Sequence, residues 1–365
     1  MVETAVRHRD EGVFHSWLIT GPPGSGRSNL AFAFASALQC TNQGCGTCQS
    51  CVLAAAGTHP DIRVLSTEKV QITIAEIRDL VSASIMGSSV GRFRIMIIED
   101  ADRMTSTASN ILLKALEEPP TGTIWILCAP SEVDMLPTIR SRVRRVGLKV
   151  PAIEDVAQLL IARDGIEPKL ARQVAAESQS HIGMARRLAT SSEARARRKD
   201  TLKAALEIRT VTDAVITCDR WLDLAQKDAD ALTRSRDEEE RTALMASMGL
   251  GVSDSIPPAL RTEVKNLEEA QKRRAKRSLR DGLDRILVDL LALYRDVMTV
   301  QLSASVALVN QDLVADIDAL AAKTKPEQTI AKLEAIEQAR VRIDRNVREQ
   351  LVLDALAVAL QVREA

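Results

Sequence analysis

Residues 21–28, GPPGSGRS, carry the spacing of a phosphate-binding loop: Gly, four residues, Gly, a cation, then Ser. A short apolar run, WLIT at 17–20, comes before them and a helical stretch comes after. Gly21, Gly24 and Gly26, with Ser25 between them, let backbone N–H groups turn inward, and the start of the following helix adds positive potential for an anion. Ser28 stands where a hydroxyl would meet Mg2+. The departure is Arg27, where the pattern has Lys. Lys is a compact point charge that tucks under phosphates, whereas Arg is longer, planar and forked, so it can pair with phosphate but cannot occupy the same place. The expectation is a site that can hold a nucleotide but does not hydrolyse it efficiently.

RIMIIEDADRM, at 94–104, reads as an apolar strand ending in acids, with Asp100 as the metal-side carboxylate. A hydrolytic site of this kind wants a water-orienting residue beside that Asp; Ala101 follows it instead. In a strand, alternation turns Glu99 away from Asp100. A one-residue shift that makes Glu99 and Asp100 the working pair is the alternative. Both altered positions point toward lost turnover.

Cys40, Cys45, Cys48 and Cys51 have the spacing C-x4-C-x2-C-x2-C with small, polar residues between them. Four thiolates close a tetrahedral structural site, for which Zn2+ is the default metal. Free surface thiols and an iron–sulfur cluster are the competing readings. Cys128 and Cys218 stand apart in apolar or helical surroundings and read as packing residues. The four histidines, His8, His15, His59 and His181, are scattered, with no Ser or Cys nucleophile in register. His59 reads as capping or packing a turn.

The elements that must position these groups follow from the pattern. WLIT, DIRVL, RIMII, TIWILCA and VRRVGLKV read as short strands, with helical stretches such as ITIAEIRDLVSAS between them. Strands alternating with helices predict a parallel sheet covered on both faces. After Pro151 the strand signals stop: short helices are expected over 152–190 and longer amphipathic ones over 197–365, with breaks at 249–258 and 323–328. The 365 residues suffice for two or three domains, and Lys plus Arg equals Asp plus Glu at 49 each, so no global charge argues for nucleic acid. No apolar run is long enough to span a bilayer and no secretory signal is evident, which with the clustered cysteines implies a cytoplasmic protein.

With these pieces in place the chain resembles the clamp-loader subunits of bacterial DNA polymerase III, within the AAA+ ATPases. GPPGSGRS, the cysteine knuckle one helix later, His59-Pro60-Asp61, NILLKALEEPP (110–120), the Ser141-Arg142 pair in TIRSRVRR, and the last helix around IDRNVREQ carry the resemblance. It is strong over 13–150 and weaker to the end. It implies an AAA+ P-loop domain over 1–150 with its zinc knuckle at 40–51. A small helical lid domain over 151–196 and an all-α collar domain over 197–365 follow, with a charged insertion around 233–280. It also implies a stator-like subunit of a hetero-pentamer with gamma/tau and delta subunits, acting on the sliding clamp and primer-template DNA through the complex, with no membrane. In that role Arg142 would be an arginine finger for a neighbour's ATP, and Arg186 the counterpart of the sensor-2 arginine. Turnover by the chain itself is expected to be weak or absent, its nucleotidyltransferase character being that of the polymerase it serves. ATP with Mg2+ would bind weakly at most, since little of the family's adenine-holding segment precedes the first strand.

Two other readings stand beside this one. An ATP-hydrolysing gamma/tau-type motor would keep Lys in the loop and Glu after Asp100. A recombination or repair ATPase of the same superfamily would lack NILLKALEEPP. Residues 264–280 hold seven basic and two acidic residues. Such a helix either follows a DNA backbone or, the favoured reading, pairs with acids such as those of RDEEER (236–241).

Overall fold

The computed structural model describes residues 13–42, 44–67, 71–247 and 261–362. The segment before the first strand, residues 1–12, and the break at 249–258 lie outside them. The chain packs as two units. One runs to Val156 and takes in Ser180–Met184; the other comprises Ala157–Gln179 and the chain from Ala185 onward.

In the first unit five strands form a parallel sheet: β1 (Ser16–Thr20), β2 (Ile62–Leu65), β3 (Arg94–Ile98), β4 (Thr123–Ala129) and β5 (Arg144–Gly147), in the order β2-β3-β4-β1-β5. Each matches an apolar run that reads as a strand, with β1 beginning one residue before its run, at Ser16. β4 is buried along its whole length, which is why TIWILCA shows no polar alternation. Successive residues feed opposite faces. Leu18, Met96, Ile98, Trp125 and Leu127 pack with α3 (Ile74–Ile85) and α4 (Ser106–Glu117). Trp17, Ile19, Ile95, Ile97, Ile126 and Cys128 pack with Phe34 and Leu38 of α1 (Arg27–Gln39) and Ala54 of α2 (Gln49–Ala55). The sheet is thus covered on both faces, as expected. Its parallel strands bring the ends of β1 and β3, which lead into the glycine loop and Asp100, to one edge. A single turn of α5 (Pro137–Arg140) precedes Arg142.

Beyond β5 every regular element among the described residues is helical. α6 (Ile153–Asp164), α7 (Pro168–Glu177) and α8 (Ile182–Thr190) are short. α9 (Ser192–Leu206), α10 (Val211–Ser247), α11 (Arg261–Gln301), α12 (Val314–Lys323), α13 (Pro326–Asp344) and α14 (Glu349–Ala359) follow. The second unit's core gathers Leu202, Trp221, Leu287, Leu290, Tyr294, Ile336, Leu353 and Leu356. α10 and α11 run antiparallel: Gly282 faces Ala225, and Arg274 faces Asp237 and Glu240. A Cβ on Gly282 would sit 3.4 Å from the Ala225 carbonyl oxygen, so the two helices approach closely there. No helix of the described chain is long and apolar enough to cross a membrane.

Candidate functional site

The glycine loop joins the end of β1 to the start of α1. Gly24 and Gly26 take φ of 81° and 86°, a region that side chains disfavour. Gly26 caps α1, whose first-turn N–H groups, including those of Arg27 and Ser28, have no helical carbonyl to bond. The Gly21 N–H bonds the Pro130 carbonyl at 3.1 Å, and Ser25 N–H bonds Pro22 O at 3.1 Å. The Ser25 hydroxyl is buried without a hydrogen-bond partner.

Two side chains fill the loop's surroundings. Arg27 does not project outward: its Nη1 donates to the carbonyl of Gly21 at 2.8 Å, and its Nη2 lies 3.6 Å from Asp100 Oδ1. The His181 ring lies where a Cβ on Gly24 would be, 2.2 Å from that position. His181 Nδ1 accepts the Met184 N–H, capping the turn that enters α8, and Ile182 N–H reaches the Gly24 carbonyl at 3.4 Å. The loop, Arg27 and Asp100 therefore come together, and His181 joins them. No periodicity in the sequence reveals that contact, because it closes across more than 150 residues.

Asp100 is not in a strand. β3 ends at Ile98, and Asp100 takes the left-handed conformation (φ 49°, ψ 51°) before a single 3-10 turn over Ala101–Arg103. Strand alternation therefore does not decide which way Glu99 and Asp100 point. Arg103 also lies near Asp100, at 3.7 Å. Asp102 Oδ1 is buried without a partner, and burial, reinforced by the neighbouring Asp100 charge, raises its carboxyl above the usual range.

Arg142 lies on the turn between α5 and β5, with its side chain about one-third exposed. Its Nε donates to Glu117 Oε1 at 2.5 Å, and its Nη1 donates to Thr138 O at 2.8 Å and to Ser141 Oγ at 3.0 Å. Glu117 closes α4, inside NILLKALEEPP, and sequence reasoning did not single it out. The signal was there, a Glu in a family-typical stretch, but its partner lies 25 residues away. Arg186 belongs to the second unit, where its Nε pairs with Asp164 at 3.2 Å.

The four knuckle cysteines converge, their sulfurs all within 4.8 Å of one another. Cys40 Sγ lies 3.7 Å from both Cys45 Sγ and Cys48 Sγ. A tetrahedron with metal–sulfur arms of about 2.3 Å has edges of about 3.8 Å, so the spacing suits a metal ion. The N–H groups of Asn42 and Cys45 point at Cys40 Sγ at 3.2 and 3.4 Å, as thiolate acceptors want. The N–H and hydroxyl of Thr47 draw the Cys45 thiol down to about 6. Cys128 and Cys218 are buried, as packing residues should be.

His59 and Asp61 do local structural work. His59 is buried and its Nδ1 accepts the Asp61 N–H at 3.1 Å. The Asp61 carboxylate, fully buried, accepts N–H bonds from Ser89, Val90 and Gly91 at 2.6–2.8 Å. Burial alone would raise this carboxyl, but those N–H groups outweigh it and hold Asp61 at about 2.

A family profile described as "DNA polymerase III, delta subunit" matches residues 5–152. The DNA polymerase III delta' subunit of Pseudomonas aeruginosa is 37% identical over 143 residues, 38% of this chain and 44% of that protein. The Bacillus subtilis delta' subunit is 26% identical over 356 residues, 95% of this chain and 91% of its own length. The gamma/tau subunit of Mycobacterium tuberculosis is 28% identical over 232 residues, 60% of this chain and 40% of that protein. The chain thus spans less than half the length of the Pseudomonas relative it matches. Over residues 5–152 the chain is thus similar to the family described as DNA polymerase III, delta subunit, and delta' subunits are among its relatives.

Proposed function

We propose that the chain is the delta'-type, non-motor subunit of a DNA polymerase III clamp loader. It would assemble with gamma/tau and delta subunits in the cytoplasm and help load the sliding clamp onto primer-template DNA. Its own role is architectural, plus one electrostatic contribution: the Arg142 guanidinium stabilises charge developing on the triphosphate in a neighbouring subunit's site. Zn2+ held by Cys40, Cys45, Cys48 and Cys51 would be structural, since four protein thiolates leave no open position for a substrate. ATP with Mg2+ would meet a loop already engaged by its own cation.

The observation that carries this reading is the contrast between two arginines. Arg27 is turned onto its own loop carbonyl and Asp100, while Arg142 is part-exposed on a surface turn. The gamma/tau similarity keeps a motor reading as the second candidate, and it makes the opposite forecast. ATP turnover by the isolated chain, then by the reconstituted complex with and without Arg142→Ala, separates them. The isolated chain is expected to turn over little or no ATP. The mutant should lower turnover at the neighbouring site at least about tenfold, by comparison with arginine fingers elsewhere. Robust turnover by the isolated chain would favour the motor.

A further inference from the structure

We infer that Glu117 is a latch on Arg142, keeping the guanidinium folded onto its own subunit until a neighbour's triphosphate takes it. This rests on the role proposed for Arg142 and goes beyond it by naming what restrains that residue at rest. The Nε and Nη2 of Arg142 both lie 2.5 Å from Glu117 Oε1. That edge of the guanidinium is one a phosphate would grip with two parallel bonds. Nη1 is tied to the Thr138 carbonyl and Ser141 hydroxyl, and Ser141 Oγ itself donates to Thr138 O at 3.0 Å. The Thr138–Ser141 turn therefore anchors one edge of the guanidinium, while Glu117 covers another.

Helix electrostatics point the same way. Glu117 is the last residue of α4, where the helix dipole disfavours a carboxylate, and Arg142 supplies the compensating charge. The two side chains are 36% and 46% exposed, so the pair is a weak, solvent-screened one. A triphosphate, with more negative charge, can displace the carboxylate without disturbing the fold. A cleft lined by Phe14, His15, Leu116, Ser141 and both charged residues leaves the guanidinium approachable from solvent.

The test uses the reconstituted clamp-loader complex carrying Glu117→Gln, Glu117→Asp, Arg142→Ala or the double variant Glu117→Gln/Arg142→Ala in this chain. Glu117→Gln keeps the shape and removes the charge. It should raise ATP turnover of the DNA-free complex roughly two- to fivefold, the range an exposed ion pair supports. Most of the change should lie in the apparent KM for ATP. Glu117→Asp, which keeps the charge, should stay near the unmodified complex. In the Arg142→Ala background the Gln substitution should change nothing, because the pair acts as a unit. Unchanged turnover in Glu117→Gln would overturn the latch. So would a fall, which would make Glu117 a support for the finger, or an equal rise without Arg142. If Arg142→Ala itself has no effect, the arginine-finger reading fails and takes the latch with it. If only the Glu117 prediction fails, that reading stands. Thermal unfolding of the isolated variants checks that each folds.

Discussion

At position 27 the extra reach of a guanidinium lets one side chain touch both Gly21 O and the Asp100 carboxylate; a shorter, single-point ammonium has no fork with which to bridge two acceptors. Residue chemistry of another kind appears at Lys332. Its ammonium is buried, lies 5.3 Å from the centre of the Tyr294 ring, and has no hydrogen-bond partner. Burial, with a smaller contribution from the Arg209 charge, lowers it to about 8. A lysine whose folded value lies below its unfolded one destabilises the fold while both states are charged, that is, below about pH 8. Stability should therefore rise as pH climbs from about 8 toward the unfolded value near 10.5. Replacing Lys332 by Met should stabilise the protein at pH 7 by about 1–3 kcal/mol, the aromatic contact offsetting part of the gain. It should also flatten the alkaline rise in denaturant midpoints. Parallel pH profiles for the two proteins would contradict this account. Nothing in the sequence marked Lys332, because its burial depends on helices packing around it.

Elements explain where sequence reading succeeded and where it stopped. The five strands were legible because each is a short apolar run bounded by turns, and a parallel sheet buries both faces of its strands. The direction of Glu99 and Asp100 was not, because strand alternation ends with β3 at Ile98 and the next residues take a turn. The basic run of 264–280 was half legible. Arg274 lies nearly buried between Asp237 and Glu240, as the upstream acids suggested. Arg280 instead turns to Glu349 and Asn346 at the far end of the chain, which no local pattern foretells. The cysteine spacing was the most explicit local signal, since four cysteines within twelve residues need little tertiary help to converge. Purified protein is expected to carry about one zinc per chain. The Cys45→Ser/Cys48→Ser variant should lose it and unfold its first unit at lower temperature. Because ligand thiols must be deprotonated, acid should release the metal. Metal analysis beside thermal unfolding tests both points; full stability in the metal-free variant would deny the ion a structural role.

For the molecule as a whole, balanced charge and two packing units leave function to local sites rather than to a global field. The alternation of strands and helices, then helices alone, was visible as a change in pattern near Pro151. What no pattern disclosed is that Ser180–Met184 packs with the first unit although its sequence neighbours on both sides pack with the second. The backbone enters that stretch through Gln179 and Ser180, both at positive φ, a conformation that costs ordinary residues about 1–2 kcal/mol. The polypeptide accordingly passes between the units three times. A chain stopped at Val156 would leave the Gly24 loop without His181 against it, and amide hydrogens of residues 21–28 should then exchange faster than in the intact protein. Equal exchange in the two would mean that His181 adds nothing to the loop. A cut at Val156 removes the segment that closes the loop, and a cut after Met184 keeps that segment only with Ala157–Gln179 of the second unit still attached, so no single cut isolates the first unit by itself.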